Sequence, residues 1–143
     1  MPKSTITCNN LLKLIFNAVA WANMADNAAA SPLTDLYVSL HNGSPGIGNS
    51  QLTNEVAYTN YLRIAIVRSA AGWTVATNTA INAALAQFAQ CGVTGASADF
   101  VAIGTAASGA GNVLYQGALS ATLTIANLIQ PQFAGGALVV TET

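Results

Sequence analysis

The chain holds a single histidine, His41, so serine-based nucleophilic catalysis would have to use it as the general base. Asp35, the acid nearest in sequence, would sit about 20 Å away along an extended strand, too far to orient that imidazole. No G-x-S-x-G turn precedes a helix. His41 therefore reads as a strand-end residue, hydrogen-bonded or exposed. Glu55 and Asp99 are the acids that folding would have to pair for glycoside cleavage. Neither lies in the aromatic-lined kind of segment that binds sugars, and solvated or salt-bridged loop acids are the simpler reading. Two glycine-rich runs, Gly43–Gly48 and Ala107–Asn112, superficially resemble phosphate loops. The first lacks the closing Lys-Ser/Thr and the strand-to-helix setting, and the second lies between two strands. Cys8 and Cys91 form no CxxC and have no histidine cluster beside them, so two free, buried thiols are expected, with a disulfide as the alternative. No catalytic residue, cofactor-binding residue or metal ligand is assigned; the chain is expected not to be an enzyme and to need no cofactor.

The elements that would position these residues are mostly strands. Leu11, Leu12, Ile15, Phe16, Val19 and Ala22 form an apolar stripe at helical spacing, with Thr5 or Thr7 as the expected N-cap. The stripe would either cover an open face of the domain or dock on a neighbouring subunit. Asn23–Pro32 reads as a connector. From Leu36 the period becomes two: Leu36, Val38 and Leu40 face one way, and Tyr37, Ser39 and His41 the other. Asn42–Asn54 is a long turn-rich loop. Tyr61–Ser69 is expected as a strand with Leu62, Ile64 and Ile66 opposed to Arg63, Ala65 and Val67. A turn at Gly72 leads into a short strand, and Ala80–Gln90 leans towards strand. Asp99–Thr105 and Val113–Ala118 make a hairpin around 106–112, followed by β runs at Leu119–Ala126 and Ala137–Thr141. The fold class is thus mainly β, an antiparallel β-sandwich of jelly-roll type with one N-terminal α-helix. Residues 1–32 would form the helix and connector arm, and 33–143 the β domain.

Composition bounds the partners. Only 6% of the 143 residues are charged, and the formal net charge is −1, against about 25% charged in ordinary soluble proteins. The four cations cannot neutralise many phosphates, so nucleic acid is not an expected partner. No apolar run approaches the ~20 residues that span a bilayer, and Lys13 and Asn17 interrupt the Leu11–Ala22 stretch, so no signal peptide is expected. A near-neutral, Thr/Asn-rich surface favours association in a dense assembly.

The runs Leu36-Tyr37-Val38-Ser39-Leu40-His41-Asn42-Gly43-Ser44-Pro45-Gly46 and Thr53-Asn54-Glu55-Val56-Ala57-Tyr58-Thr59-Asn60-Tyr61-Leu62-Arg63 resemble a group of short tailed-phage virion proteins. So do Gly72-Trp73-Thr74-Val75 and the hairpin from Ile103 to Tyr115. The resemblance covers about residues 33–142. Asn42 and Ser44 stand where other members carry Asp or Thr. Such proteins are labelled tail-fibre or structural proteins, and similar ones serve as capsid cement; the group brings no catalytic residues. The resemblance implies a virion structural protein. The compact, repeat-free chain favours a capsid cement (decoration) subunit on the outer capsid surface, assembled in the host cytoplasm. Its partners would be the major capsid protein and further copies of itself, as a dimer or trimer. The alternative is a tail or fibre-associated module. Leu11, Leu12, Ile15, Phe16, Ile47 and Leu52 are the expected interface residues.

Overall fold

The computed structural model describes residues 3–21, 32–46 and 50–143. It is mainly β with antiparallel pairing and one N-terminal helix, as the sequence pattern requires. The elements are α1 (Thr5–Asn17), β1 (Asp35–His41), β2 (Ile64–Val67), β3 (Trp73–Ala76), β4 (Thr79–Asn82), β5 (Ala86–Gln87), β6 (Ala96–Gly104), β7 (Val113–Ile125), β8 (Gln132–Phe133) and β9 (Val139–Thr141). They form sheets of order β2-β1-β6-β7, β3-β4-β9 and β5-β8. Two compact units result: residues 1–35, 66–86 and 133–143 make the first, and residues 36–65 and 87–132 the second.

In the first unit, α1 packs on β3 and β4. Its N-cap is Ser4 rather than Thr5 or Thr7. The Ser4 hydroxyl accepts from the Thr7 amide, and Ser4 alone has the extended backbone that a cap needs. The buried stripe is Cys8, Leu12 and Phe16, each at most 2% exposed. The helix stops at Asn17, where Ala18 turns left-handed, and this leaves Val19 exposed instead of extending the stripe. Ala22 lies outside the described residues. No basic residue occupies the last helical turn. Arg68 supplies the missing donors from elsewhere, giving Nε to the Ile15 carbonyl at 2.6 Å and Nη2 to the Leu14 carbonyl at 2.8 Å. These are two of the carbonyls that a helix end leaves without intrahelical partners. Phe16 meets Trp73 edge-on at 4.7 Å between ring centroids. Asn82, fully buried, is satisfied by backbone alone: it donates to the carbonyls of Ala84 and Ala134 and accepts from the Leu138 amide.

The 80–90 segment resolves into β4 and β5 separated by a bend, in line with the strand reading. The Val113–Ala118 and Leu119–Ala126 runs fuse into the single strand β7. Its pairing with β6 shifts between the Ala98↔Leu123 and Phe100↔Ala118 partners, so the irregularity lies inside one strand and not between two.

In the second unit, Leu36, Val38, Leu40, Val56, Phe88, Ala98, Ala102, Ile103 and Ile125 form the core. The alternation proposed for Tyr61–Ser69 fails at its start. Regular strand begins only at Ile64; Leu62 is exposed and Arg63 is buried. A chain outside the pleat has no obligation to alternate, and the partners of Arg63 described next draw it inward.

Candidate functional site

The densest polar arrangement lies in the second unit, where the segment after β1 and the β6–β7 hairpin loop are tied together by buried side chains. Arg63 grips Glu55 through two bonds, Nε to Oε1 at 2.6 Å and Nη2 to Oε2 at 2.7 Å. The same guanidinium donates to the carbonyls of Ala106 and Gly109 at 2.9 and 2.8 Å. Its side chain is 2% exposed and that of Glu55 11%, so the planar fork works as a buried staple. The bonds to Glu55 raise the Arg63 pKa further. Tyr61 adds its hydroxyl as donor to Glu55 Oε1 at 2.9 Å and as acceptor for the Leu40 amide. Burial pushes the Tyr61 phenol well above its ordinary range, and Tyr58, whose hydroxyl donates to the Ala89 carbonyl, is pushed up to about 12 for the same reason.

Gln51 is the second staple. It is fully buried, accepts from the Ala106 amide and donates to the Tyr37 carbonyl. Room for it exists because Gly104 and Gly111 lack side chains: a Cβ at either would lie 2.2 Å from Gln51. The loop apex 107–110 is thus exposed, while its base is held by Gln51, Arg63 and an antiparallel bridge between Ser50 and Asn112.

His41 lies at the end of β1, hydrogen-bonded and fully buried. Its Nδ1 donates to the Thr53 carbonyl at 2.9 Å, which leaves Nε2 to accept from the Ser39 hydroxyl at 2.9 Å. The Ser39–His41 contact has the spacing of a nucleophile and its base, but neither residue offers surface to a substrate. The sequence alternation set Ser39 and His41 on the face opposite Leu36, Val38 and Leu40; both are fully buried there, and residues 53–56 run alongside β1 through the His41↔Glu55 bridge and the bond from the Val56 amide to the Leu40 carbonyl. Asp35 hydrogen-bonds Thr34. Glu55 is engaged by Arg63 and Tyr61, and Asp99 accepts from Thr122 at 2.6 Å, so the two acids serve separate local networks. Among the described residues, no group of three or more His, Cys, Asp or Glu side chains could hold a metal ion. Cys8 and Cys91 are both free and buried, and no described helix is long and apolar enough to cross a membrane.

Burial lowers the His41 pKa below 6.5. Below that value the unfolded histidine takes a proton that the folded one refuses, so the unfolded state gains protons and stability drops as pH falls. The urea midpoint should therefore be level above about pH 7 and decline on acidification through about pH 6. His41→Gln should remove that histidine share of the slope. An identical pH profile in wild type and variant would dismiss the contribution of His41.

Of the residues expected to form an interface, Leu12 and Phe16 are fully buried within the first unit. Leu11 and Ile15 are half-buried and Leu52 is exposed; Ile47 lies outside the described residues. The staples Arg63 and Gln51 were not singled out by sequence. With only four cations in the chain, each one beside a turn-rich segment was the available signal. The family model described as Podophage GP4 fiber I protein gp80 matches residues 2–141. No curated protein matches the chain.

Proposed function

Because the chain belongs to the Podophage GP4 fiber I protein gp80 family, and is therefore a β-rich structural protein of a phage virion, we propose that it is a subunit of the fibre of a short-tailed phage. The observation that carries this reading is the extent of the match, which takes in residues 2–141 and hence every element of the fold. The capsid cement role fits the family description less well. In the fibre reading the partners are other tail components and further copies of the chain, rather than the major capsid protein.

The geometry supports a mechanical task without chemistry. The Ser39–His41 pair is sealed from substrate, and Arg63 and Gln51 spend their donors and acceptors on backbone and on Glu55. Buried networks that are fully paired hold one loop conformation, which suits a part that must keep its shape at the outside of a particle. We assign the protein no catalytic step and no cofactor, and neither nucleic acid nor membrane as a partner.

Copy number and position in purified virions test the proposal. Quantitative mass spectrometry should give a few per cent of the major capsid protein, and gold-labelled antibody should decorate the tail. Near-stoichiometric abundance with label over the head would replace the fibre by capsid cement.

A further inference from the structure

Two turns of the second unit present aliphatic side chains to solvent. Val93 is 88% exposed, Leu128 68% and Ile129 44%. The turns are joined: the Leu128 amide donates to the Cys91 carbonyl at 2.9 Å, and the Cys91 amide to the Ile129 carbonyl at 2.8 Å. Side chains brace them further. Gln90 donates to the Leu128 carbonyl, Asn60 to the Gln90 carbonyl and Gln130 to the Phe88 carbonyl. A surface held this firmly loses little freedom when a partner covers it.

Leu128 is the informative residue. Its φ is 67°, in the left-handed region that Gly or Asn enters easily and a bulky side chain does not. Folding alone would favour Gly or Asn here, and solubility would favour a polar residue. A leucine accepted against both preferences points to a contact that uses its side chain.

Charge identifies the occupant. Residues 69–98 and 100–141 contain no Lys, Arg, His, Asp or Glu; Asp99 alone interrupts the run, and its carboxylate is taken by Thr122. A partner with an ordinary surface, about a quarter charged, would have to strip water from ions and find no counter-charge in return. A second copy of this chain brings the same uncharged surface and strands no ion. Association of like surfaces about a symmetry axis is also the commonest way that identical chains assemble.

We propose that the braced turns around Val93, Leu128 and Ile129 are a self-association face, and that its occupant is another copy of the chain. The inference rests on exposure and charge pattern rather than on the fibre reading, so a head location in the virion would leave it standing.

Sedimentation velocity on the full chain over a range of concentrations tests it, with Leu128→Asn and Val93→Asn as variants. Asn is at home at a left-handed φ, so Leu128→Asn should fold at least as stably as wild type. The wild-type chain should associate reversibly, and each variant should weaken that association about tenfold or more, with its urea midpoint preserved at concentrations where all chains are monomeric. A wild-type chain that stays monomeric at the highest concentration reached overturns the proposal. So does an oligomer whose dissociation constant neither substitution changes.

Discussion

Arg63→Met should lower the unfolding free energy by about 3–5 kcal/mol, the cost of leaving one half of a buried ion pair behind. The size follows from what the guanidinium holds. Its removal strands a Glu55 carboxylate that is 11% exposed and unpairs the carbonyls of Ala106 and Gly109. Gly109 is exposed and Ala106 half-buried, so water replaces part of what those carbonyls lose and the stranded carboxylate dominates the cost. Arg63→Lys keeps the charge but cannot reproduce a fork that reaches both carboxylate oxygens and two carbonyls, so it should recover only part of the loss. Adding Glu55→Leu to Arg63→Met should restore some stability, because the stranded charge is gone. Urea titration of wild type, Arg63→Met, Glu55→Leu and the double variant gives the double-mutant cycle that measures the coupling. A loss below about 1 kcal/mol for Arg63→Met would mean that the pair behaves like a solvent-exposed salt bridge. The hairpin loop should also loosen, with faster amide exchange at residues 105–112 than in wild type.

Phe16→Ala should cost about 3–5 kcal/mol, and here the direction of a side chain is at stake. The helical stripe was expected either to cover an open face of the domain or to dock on a neighbouring subunit, with Phe16 among the expected interface residues. Phe16 instead is fully buried and meets Trp73 at 4.7 Å. Truncation would open a cavity beside the largest side chain of that core, and the tryptophan emission should shift and the thermal midpoint fall in dilute, monomeric protein. Leu11→Ala, at a half-buried position on the same helix, should cost much less. If Phe16→Ala left the monomer untouched, the helix would not be packed as described.

These two residues mark where sequence was informative and where it was not. The spacing of Leu12 and Phe16 gave the helix and its apolar side, because i, i+4 periodicity is a local property. What that side packs against depends on Trp73, distant in sequence. Likewise the alternation of Leu36, Val38 and Leu40 marked β1 and its core face, and the turn residues 106–112 marked the hairpin. Ser39 and His41 were set on the face opposite Leu36, Val38 and Leu40, with His41 hydrogen-bonded or exposed; that both are fully buried depends on other segments, which the alternation of one strand cannot register. Arg63 was misplaced for a related reason: its partners are a carboxylate and two carbonyls from separate parts of the chain, and no periodic rule carries that information. The left-handed backbone at Leu128 was beyond reach, since nothing in its residue type announces a positive φ. Most of the fold was therefore legible, whereas the buried staples and the exposed turns required the packed chain.

The way the first unit is threaded bears on how the protein is made. Its strand β4 lies between β3, close by in sequence, and β9, some sixty residues later. The Ala80↔Val140 register, the bond from Asn78 to the Glu142 carbonyl and the Lys3–Glu142 ion pair at 3.0 Å all wait for residues 140–142. During synthesis the helix and β3–β4 emerge early but cannot complete their sheet until residues 139–141 have emerged. The contacts of the second unit, by contrast, are all available once residue 132 has emerged. A polypeptide cut short after that point would carry a finished second unit and a first unit with β4 left as an open edge, the feature that chaperones and proteases recognise. Copies that include residues 139–142 would escape that scrutiny, so this segment acts as a proofreading seal on the first unit.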